Sequence, residues 1–117
     1  MADLKVHPTL LENLGSIMIL ITQLIYIHPG SEAVFNEFES HAIPIIAKYG
    51  GKLLLRTKVD KDNVIEGIME TPYEIHLVSF DHQHQIDDFF KDEERKKWVH
   101  LKEASIREVW LIKGERM

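Results

Sequence analysis

Residues 17–27 read Ile-Met-Ile-Leu-Ile-Thr-Gln-Leu-Ile-Tyr-Ile, and the run ends abruptly at the turn His28-Pro29-Gly30. Such a density of β-branched and aromatic residues, with almost no polar alternation, is typical of a strand buried on both faces. The run is too short to span a bilayer, which takes about 20 apolar residues in a helix. It therefore predicts the central strand of the domain, over about residues 16–27, closed by the Pro-Gly turn.

The length and composition of the chain indicate one ordinary globular domain. Its 117 residues fit a single domain over residues 16–117, with residues 1–15 as an N-terminal extension. The absence of cysteine excludes disulfides, thiolate metal sites and a cysteine nucleophile. This composition suits a reducing compartment, and the start of the chain does not resemble a secretory signal, so we expect a cytoplasmic protein without a membrane partner.

The charge balance argues against nucleic acid as a partner. Nineteen acidic residues against 14 basic ones give a formal net charge of -5. The basic residues are scattered except near Arg95, Lys96 and Lys97, so they offer no extended patch for a phosphate backbone.

The segment after the central strand has the periodicity of an amphipathic helix. Ser31 is a favourable N-cap residue, and Gly50-Gly51 marks the end of the helix. Pro44 lies within it and removes a backbone donor, which predicts a kink or a restart. One broad apolar stripe recurs with the helical period and consists of Val34, Phe35, Phe38, Ala42, Ile45, Ile46 and Tyr49.

The remainder of the chain predicts three further strands and a second helical region. Strands are expected over residues 52–57, 73–80 and 105–112, with a polar loop between the first two in which Val64 and Ile65 add a short edge pairing. We expect this loop to be a mobile flap. Asp81 is predicted to cap the second helical region and Asp92 its continuation.

The resulting order βαββαβ predicts an α+β, ferredoxin-like subunit. Right-handed crossovers place four strands in one antiparallel sheet with both helical regions on the same face. Apolar residues nevertheless occur on both faces of the predicted strands, for example Ile75 and Leu77 against Val78 and Phe80. The second face needs a cover, and we predict a homodimer in which two identical sheets pack face to face.

Several segments together resemble an uncharacterised family of the dimeric α/β-barrel superfamily. They are residues 26–30, 49–52, 64–67, 73–80 and 111–114. The resemblance covers about residues 17–114 and implies a ferredoxin-like subunit that forms a dimeric α/β barrel. The same fold occurs in cofactor-free antibiotic-biosynthesis monooxygenases and in haem-degrading or haem-binding proteins. The resemblance implies no single reaction and supplies no catalytic positions.

Three charged residues are the strongest candidates for a chemical site. Glu74 and His76 share one face of a strand, and Arg56 on the preceding strand reaches that face if the register allows. A carboxylate orients an imidazole and raises its basicity, and a guanidinium holds a carboxylate or an enolate. We therefore predict catalytic roles for His76 and Glu74 and substrate binding by Arg56. The alternative is a structural ion-pair network.

Tyr26, His41 and Trp98 are further candidates for substrate binding. Tyr26 ends the central strand, His41 lies on the first helix, and Trp98 is placed with Phe89 and Phe90 to line an apolar pocket. Core packing is the alternative for the aromatic residues. His82 and His84 have no third ligand at a recognisable spacing, so we predict no metal site and no cofactor. A haem ligand among His28, His41, His76 and His100 is an alternative to the role of a structural histidine.

These residues predict a dimeric protein that binds a small organic molecule. The chemistry of the cluster suits a cofactor-independent oxygenase- or isomerase-like enzyme, and the alternative is a non-catalytic dimeric binding or structural module. The sequence contains no phosphate-binding glycine loop and no nucleophile elbow, which disfavours nucleotide hydrolysis and serine hydrolase chemistry.

Overall fold

The central strand predicted from the apolar run is β1, and it pairs on both sides in the computed structural model, which describes residues 18–115. The predicted extension, residues 1–15, lies outside the described residues. In chain order the elements are β1 (Ile19–Ile27), α1 (Glu32–Lys48), β2 (Lys52–Lys58), a 3₁₀ turn (Lys61–Asn63), β3 (Glu74–Phe80), α2 (Gln83–Phe90), α3 (Glu93–Lys96), α4 (Val99–Ser105) and β4 (Ile106–Glu115).

The four strands form one sheet in the order β2-β3-β1-β4, and every neighbouring pair is antiparallel. This arrangement confirms the predicted α+β, ferredoxin-like subunit with a four-stranded antiparallel sheet. β1 lies between β3 and β4. Its helix-covered side is buried at Ile21 and Ile25, whereas Leu20 and Leu24 on the other side are only half-buried, so the predicted burial on both faces is incomplete in the single subunit. Of the two polar side chains in its middle, Thr22 and Gln23, Gln23 faces the same side as Ile21 and Ile25.

One face of the sheet carries the core, because the helices pack against it. The buried cluster joins β1 and β3 to α1 and α2 and consists of Ile21, Ile45, Ile46, Val78, Phe80, Ile86 and Phe89. Phe35 and Phe38 of α1 are also buried. The predicted apolar stripe of α1 is thus the surface that this helix packs on the sheet.

Pro44 does not interrupt α1, which continues from Glu32 to Lys48. Of the kink or restart that the sequence predicted, the restart is absent. A proline deprives the carbonyl four residues earlier of its donor. Here that carbonyl belongs to Ser40, and both Ser40 and Pro44 are exposed, so water can replace the missing partner.

Two details after β2 differ from the sequence prediction. Val64 and Ile65 form no strand, because the chain makes a 3₁₀ turn just before them and leaves both side chains exposed. Asp81 does not cap α2, whose N-cap is His82, and the amide groups of both residues donate instead to Gln85 Oε1. The prediction for Asp92 is confirmed, since its side chain accepts from the backbone amide of Arg95 at 2.8 Å.

No described helix covers the second face of the sheet. Several apolar side chains on this face are about half exposed, with exposed fractions of 48% for Leu55, 50% for Trp110 and 47% for Ile112. The loop beside it, between the 3₁₀ turn and β3, adds Ile65 and Ile68, which are fully exposed. Within residues 18–115 no helix has both the length and the apolar character needed to cross a bilayer.

Gly51 provides a test of how tightly α1 packs on the sheet. An added Cβ would come within 2.5 Å of the Phe80 ring and 2.7 Å of Ile46, at a position where the glycine is buried. We therefore expect Gly51→Ala to destabilise the fold by about 1 to 3 kcal/mol, the usual cost of overpacking. Chemical denaturation measures this difference.

Gly114→Ala is the matched control, because a Cβ at Gly114 meets no atom within 4 Å. Its effect should stay within about 0.5 kcal/mol, as for most exposed substitutions. Equal stability of the two variants would contradict the close packing of Gly51 against Phe80.

Candidate functional site

A cavity of about 180 Å³ lies between the helix-covered face of the sheet and the helices. Its walls are mainly apolar and include Ile21, Ile25, Phe38, Val78, Phe89 and Phe90. Five polar side chains also line it, namely Gln23, Glu39, His76, Arg95 and Lys102. An apolar cavity with a few convergent polar groups is the usual form of a small-molecule site.

Glu74 is a buried carboxylate that joins two other candidates. Its Oε1 accepts from Arg56 Nε at 2.8 Å and from His76 Nε2 at 2.8 Å, and its Oε2 accepts from Arg56 Nη2 at 3.3 Å. The register explains the meeting, because Arg56 lies directly opposite His76 in the β2–β3 pair. The three side chains that the sequence expected to converge therefore do so.

This pairing determines how His76 presents its ring. A carboxylate that is already bound by Arg56 can only accept a hydrogen, so His76 Nε2 carries the hydrogen and Nδ1 has the free lone pair. Burial lowers the pKa of His76 below its usual 6.5, and the hydrogen bond to Glu74 opposes this only in part. His76 is accordingly neutral near pH 7 and able to accept a proton at Nδ1.

Glu39 on α1 faces the free nitrogen of His76. Its Oε2 lies 3.8 Å from His76 Nδ1, and its side chain is buried. Burial raises the pKa of Glu39 from 4.5 to about 7, although nearby positive charges act against this rise. Near neutral pH this carboxyl group is thus present in both protonation states, as a general acid or base requires.

Arg95 and Lys102 bring positive charge to the helix side of the cavity. Arg95 Nε is buried and has no hydrogen-bond partner among the described residues. Burial lowers the pKa of Lys102, and the positive charge of Arg95 lowers it further. Neither side chain forms an ion pair within residues 18–115.

Arg56 lies behind the cavity wall and does not line it. Its guanidinium is occupied by Glu74 and by Asn36 Oδ1, the latter at 3.3 Å from Nη2. The hydrogen bond to Glu74 raises the pKa of Arg56 further, so Arg56 remains charged. Arg56 therefore holds Glu74 and does not itself contact the cavity.

The other three predicted binding residues lie elsewhere. Tyr26 is buried beneath the loop before β3, where its hydroxyl donates to the backbone carbonyl of Glu70 at 2.9 Å. His41 and Trp98 stack on each other, with ring centroids 3.6 Å apart, and neither lines the cavity. Of the aromatic residues grouped by the sequence prediction, only Phe89 and Phe90 border it.

Sequence reasoning missed Glu39, Arg95, Lys102 and Gln23 as cavity residues. Glu39 had a detectable signal, because it falls within the apolar stripe of α1, four residues after Phe35 and three before Ala42. Gln23 likewise interrupts an apolar strand. Arg95 and Lys102 belong to two separate short helices, so no single periodic pattern connects them.

Metal ligation has no structural support in the part of the chain that is described. Residues 18–115 contain no group of three histidine, aspartate or glutamate side chains arranged to hold a metal ion. His82 and His84 are exposed and stack with ring centroids 5.4 Å apart.

Comparison with known proteins identifies the fold without naming a function. No protein-family model matches the chain, and no curated protein matches it. A solved protein of unknown function from Rhodopseudomonas palustris superposes with a TM-score of 0.75 at 13% identity, over 87% of this chain and 84% of that one.

Two further solved structures have the same fold. A protein of the dabb family with a ferredoxin-like fold, from Mesorhizobium loti, has a TM-score of 0.63 at 12% identity, over 86% of this chain and 98% of its own. A dimeric protein of unknown function with a ferredoxin-like fold, from Bacteroides fragilis, has a TM-score of 0.63 at 12% identity, over 85% of this chain and 96% of its own. The resemblance to uncharacterised ferredoxin-like proteins is thereby confirmed at the level of the fold.

Proposed function

We propose that this chain forms a homodimer that binds a small organic molecule in the cavity and transfers a proton on it, as a cofactor-independent isomerase does. The observation that carries the proposal is the pair of Glu39 and His76, which face each other at 3.8 Å on the wall of an otherwise mainly apolar cavity. Buried groups with strongly shifted pKa values in a cavity are typical of catalytic sites.

The size and lining of the cavity indicate the class of ligand. A volume of about 180 Å³ is close to the roughly 150 Å³ of an engineered cavity that binds benzene. Phe38, Phe89 and Phe90 offer flat apolar surfaces to one ring. A single-ring compound with a carbonyl group meets both the apolar walls and the proton-transfer pair.

The proposed step uses groups already in the chain. The ionised carboxylate of Glu39 takes a proton from the carbon next to the ligand carbonyl, and the electrons of that C–H bond form the C=C bond of an enolate. The carbonyl π electrons move to the oxygen. His76 Nδ1 relays the proton from Glu39, and its return to carbon restores the ketone.

Glu74 and Arg56 are proposed as positioning residues. Glu74 fixes the tautomer of His76 through the bond to Nε2, and Arg56 holds the Glu74 carboxylate in place through two hydrogen bonds. Arg56 and Glu74 of the predicted cluster then serve to orient His76. Substrate contact then comes from the cavity walls.

The homodimer rests on the uncovered face of the sheet. Leu55, Trp110 and Ile112 are about half exposed there, and packing against a second sheet would remove their apolar surface from water. A structural neighbour from Bacteroides fragilis is described as dimeric, which supports the proposal. The argument for a dimer does not depend on any reaction in the cavity. A non-catalytic dimeric binding module is therefore the second candidate.

The first prediction is that Glu39 makes stability fall as pH rises from about 4.5 to 7. The folded state retains a proton on Glu39 in this window and the unfolded state releases it, so the folded state binds more protons. Glu39→Gln, which is always neutral, should gain stability over the wild type by on the order of 2 to 3 kcal/mol across the window, with no further gain above it. Urea denaturation at fixed protein concentration measures the difference.

His76 acts in the opposite direction, because its lowered pKa makes the unfolded state bind more protons below pH 6.5. It is present in both proteins, so comparing them isolates Glu39. Glu37→Gln on the exposed side of α1 is the matched control and should show no such gain. If the free energies of unfolding of the wild type and Glu39→Gln changed with pH in the same way, the raised pKa of Glu39 would be contradicted.

The second prediction concerns proton transfer, with phenylpyruvamide as a neutral, single-ring ketone probe. In D₂O the wild type should accelerate exchange of the benzylic hydrogens, with a rate that rises through about pH 7 as Glu39 ionises. Glu39→Gln and His76→Ala should each slow this exchange on the order of 100-fold. Proton NMR follows the exchange, and ligand-observed NMR titration checks that binding persists.

Glu37→Gln should exchange the probe at the wild-type rate, and Ala42→Leu, which fills the cavity, should abolish binding. If the wild type binds the probe without accelerating exchange, the non-catalytic module is favoured. Unchanged binding in Ala42→Leu would place the ligand outside this cavity.

The third prediction concerns the dimer. Ile112→Glu places a charge on the uncovered face and should convert the dimer to a monomer, because an unpaired carboxylate cannot be buried in an apolar interface without a large desolvation cost. Lys113→Glu lies next to it on the helix-covered side and should leave the dimer intact. Light scattering after gel filtration measures both, and a wild-type monomer at micromolar concentration would refute the interface.

A further inference from the structure

Two cations on the helix side of the cavity lack the partner that buried charges require. Arg95 and Lys102 both line the cavity, and neither pairs with a carboxylate within residues 18–115. Buried or half-buried charges are normally paired because desolvation is costly. A partner for these two is therefore missing from the described chain.

The nearest acidic groups do not supply this partner. Asp92 is committed to Lys48 Nζ at 2.7 Å, to the Tyr49 hydroxyl and to a backbone amide. Glu39 is beyond ion-pair distance of both cations, and its pKa of about 7 leaves it only partly ionised at neutral pH. With His76 neutral, the cavity carries a net positive charge.

The guanidinium of Arg95 is held in a defined position. Its central carbon lies 5.1 Å from the ring centroid of Phe89 and 5.0 Å from that of Phe90, and both rings line the cavity. Its Nε is buried and has no hydrogen-bond partner in the described part of the chain. A buried donor left unpaired is destabilising, so its retention here is consistent with a ligand that accepts from it.

We propose that Arg95 and Lys102 bind a carboxylate group of the ligand, which makes the substrate class small aromatic or apolar keto acids. The inference rests on the proposed function, because it assigns a further part of the same ligand. Arg56 shows the required geometry within this chain, since its Nε and Nη2 hold both oxygens of Glu74. The corresponding edge of the Arg95 guanidinium, formed by Nε and Nη2, has no hydrogen-bond partner among the described residues. A planar carboxylate can accept from both of these nitrogens.

The position of these cations also serves the proposed chemistry. A keto acid whose carboxylate binds Arg95 and Lys102 has its carbonyl next to that positive charge. Negative charge that develops on the carbonyl oxygen in the enolate is stabilised by fixed cations in a site of low dielectric constant. Glu39 on the same cavity wall remains available to exchange the proton with carbon.

Phenylpyruvate and phenylpyruvamide test the inference, because they have the same shape and differ by one negative charge. The wild type should bind phenylpyruvate at least about ten-fold more tightly than the amide, as expected for one charge-assisted interaction. Arg95→Met and Lys102→Met should each bring the ratio of the two affinities, phenylpyruvate to phenylpyruvamide, close to one, because the carboxylate then lacks one of its two cations. Lys97→Met, an exposed cation between α3 and α4, should keep the full preference.

Isothermal titration calorimetry measures the affinities after circular dichroism has verified that each variant is folded. Arg95→Lys provides a second variant, which retains the charge but not the fork and should preserve only part of the preference. Equal affinity of the wild type for both compounds would overturn the carboxylate site and leave the proposed function standing. A preference for phenylpyruvate that survives in both Arg95→Met and Lys102→Met would also overturn the carboxylate site. If the wild type bound neither compound, the carboxylate site and the proposed function would both be refuted.

Discussion

The structure depends on one constraint, which is that the described helices cover only one face of a four-stranded antiparallel sheet. Side chains alternate between the faces, so each strand residue is assigned either to the core and cavity or to the uncovered face. Glu74 and His76 fall on the helix side, whereas Ile75 and Leu77, the residues that follow each of them, fall on the other. A shift of the register by one residue would exchange these two sets, which is why register and site are inseparable here.

The charges of the helix-covered face are arranged in two groups with different consequences. Arg56 and Glu74 neutralise each other behind the wall, and this ion pair fixes the ring of His76. Arg95 and Lys102 bring positive charge that no described carboxylate neutralises. Glu39 faces His76 Nδ1 at 3.8 Å and is partly ionised near neutral pH, because burial raises its pKa to about 7 against the attraction of the cations. In the proposed mechanism, the cations that bind the ligand carboxylate and the groups that transfer the proton therefore line the same cavity.

The two faces of the sheet have separate roles in the proposed protein. The uncovered face provides apolar area for a second copy, and the cavity lies within each subunit on the opposite side. The second face also includes Tyr26, which anchors the loop before β3 through the carbonyl of Glu70. Association of two copies can thus stabilise the sheet without blocking the cavity, so loss of the dimer and loss of ligand binding are separable experimentally.

The sequence by itself determined the order of elements, the strand β1 and the apolar stripe of α1, because these depend on local periodicity. It also placed Glu74 and His76 on one face, since residues two apart on a strand must share it. Only the tertiary structure decided that Tyr26 lies beneath a loop, that His41 stacks on Trp98, and that Pro44 leaves its helix continuous. It also brought Glu39, Arg95 and Lys102 to one cavity. These three lie on separate helices, and their convergence depends on packing between elements, which no local pattern records.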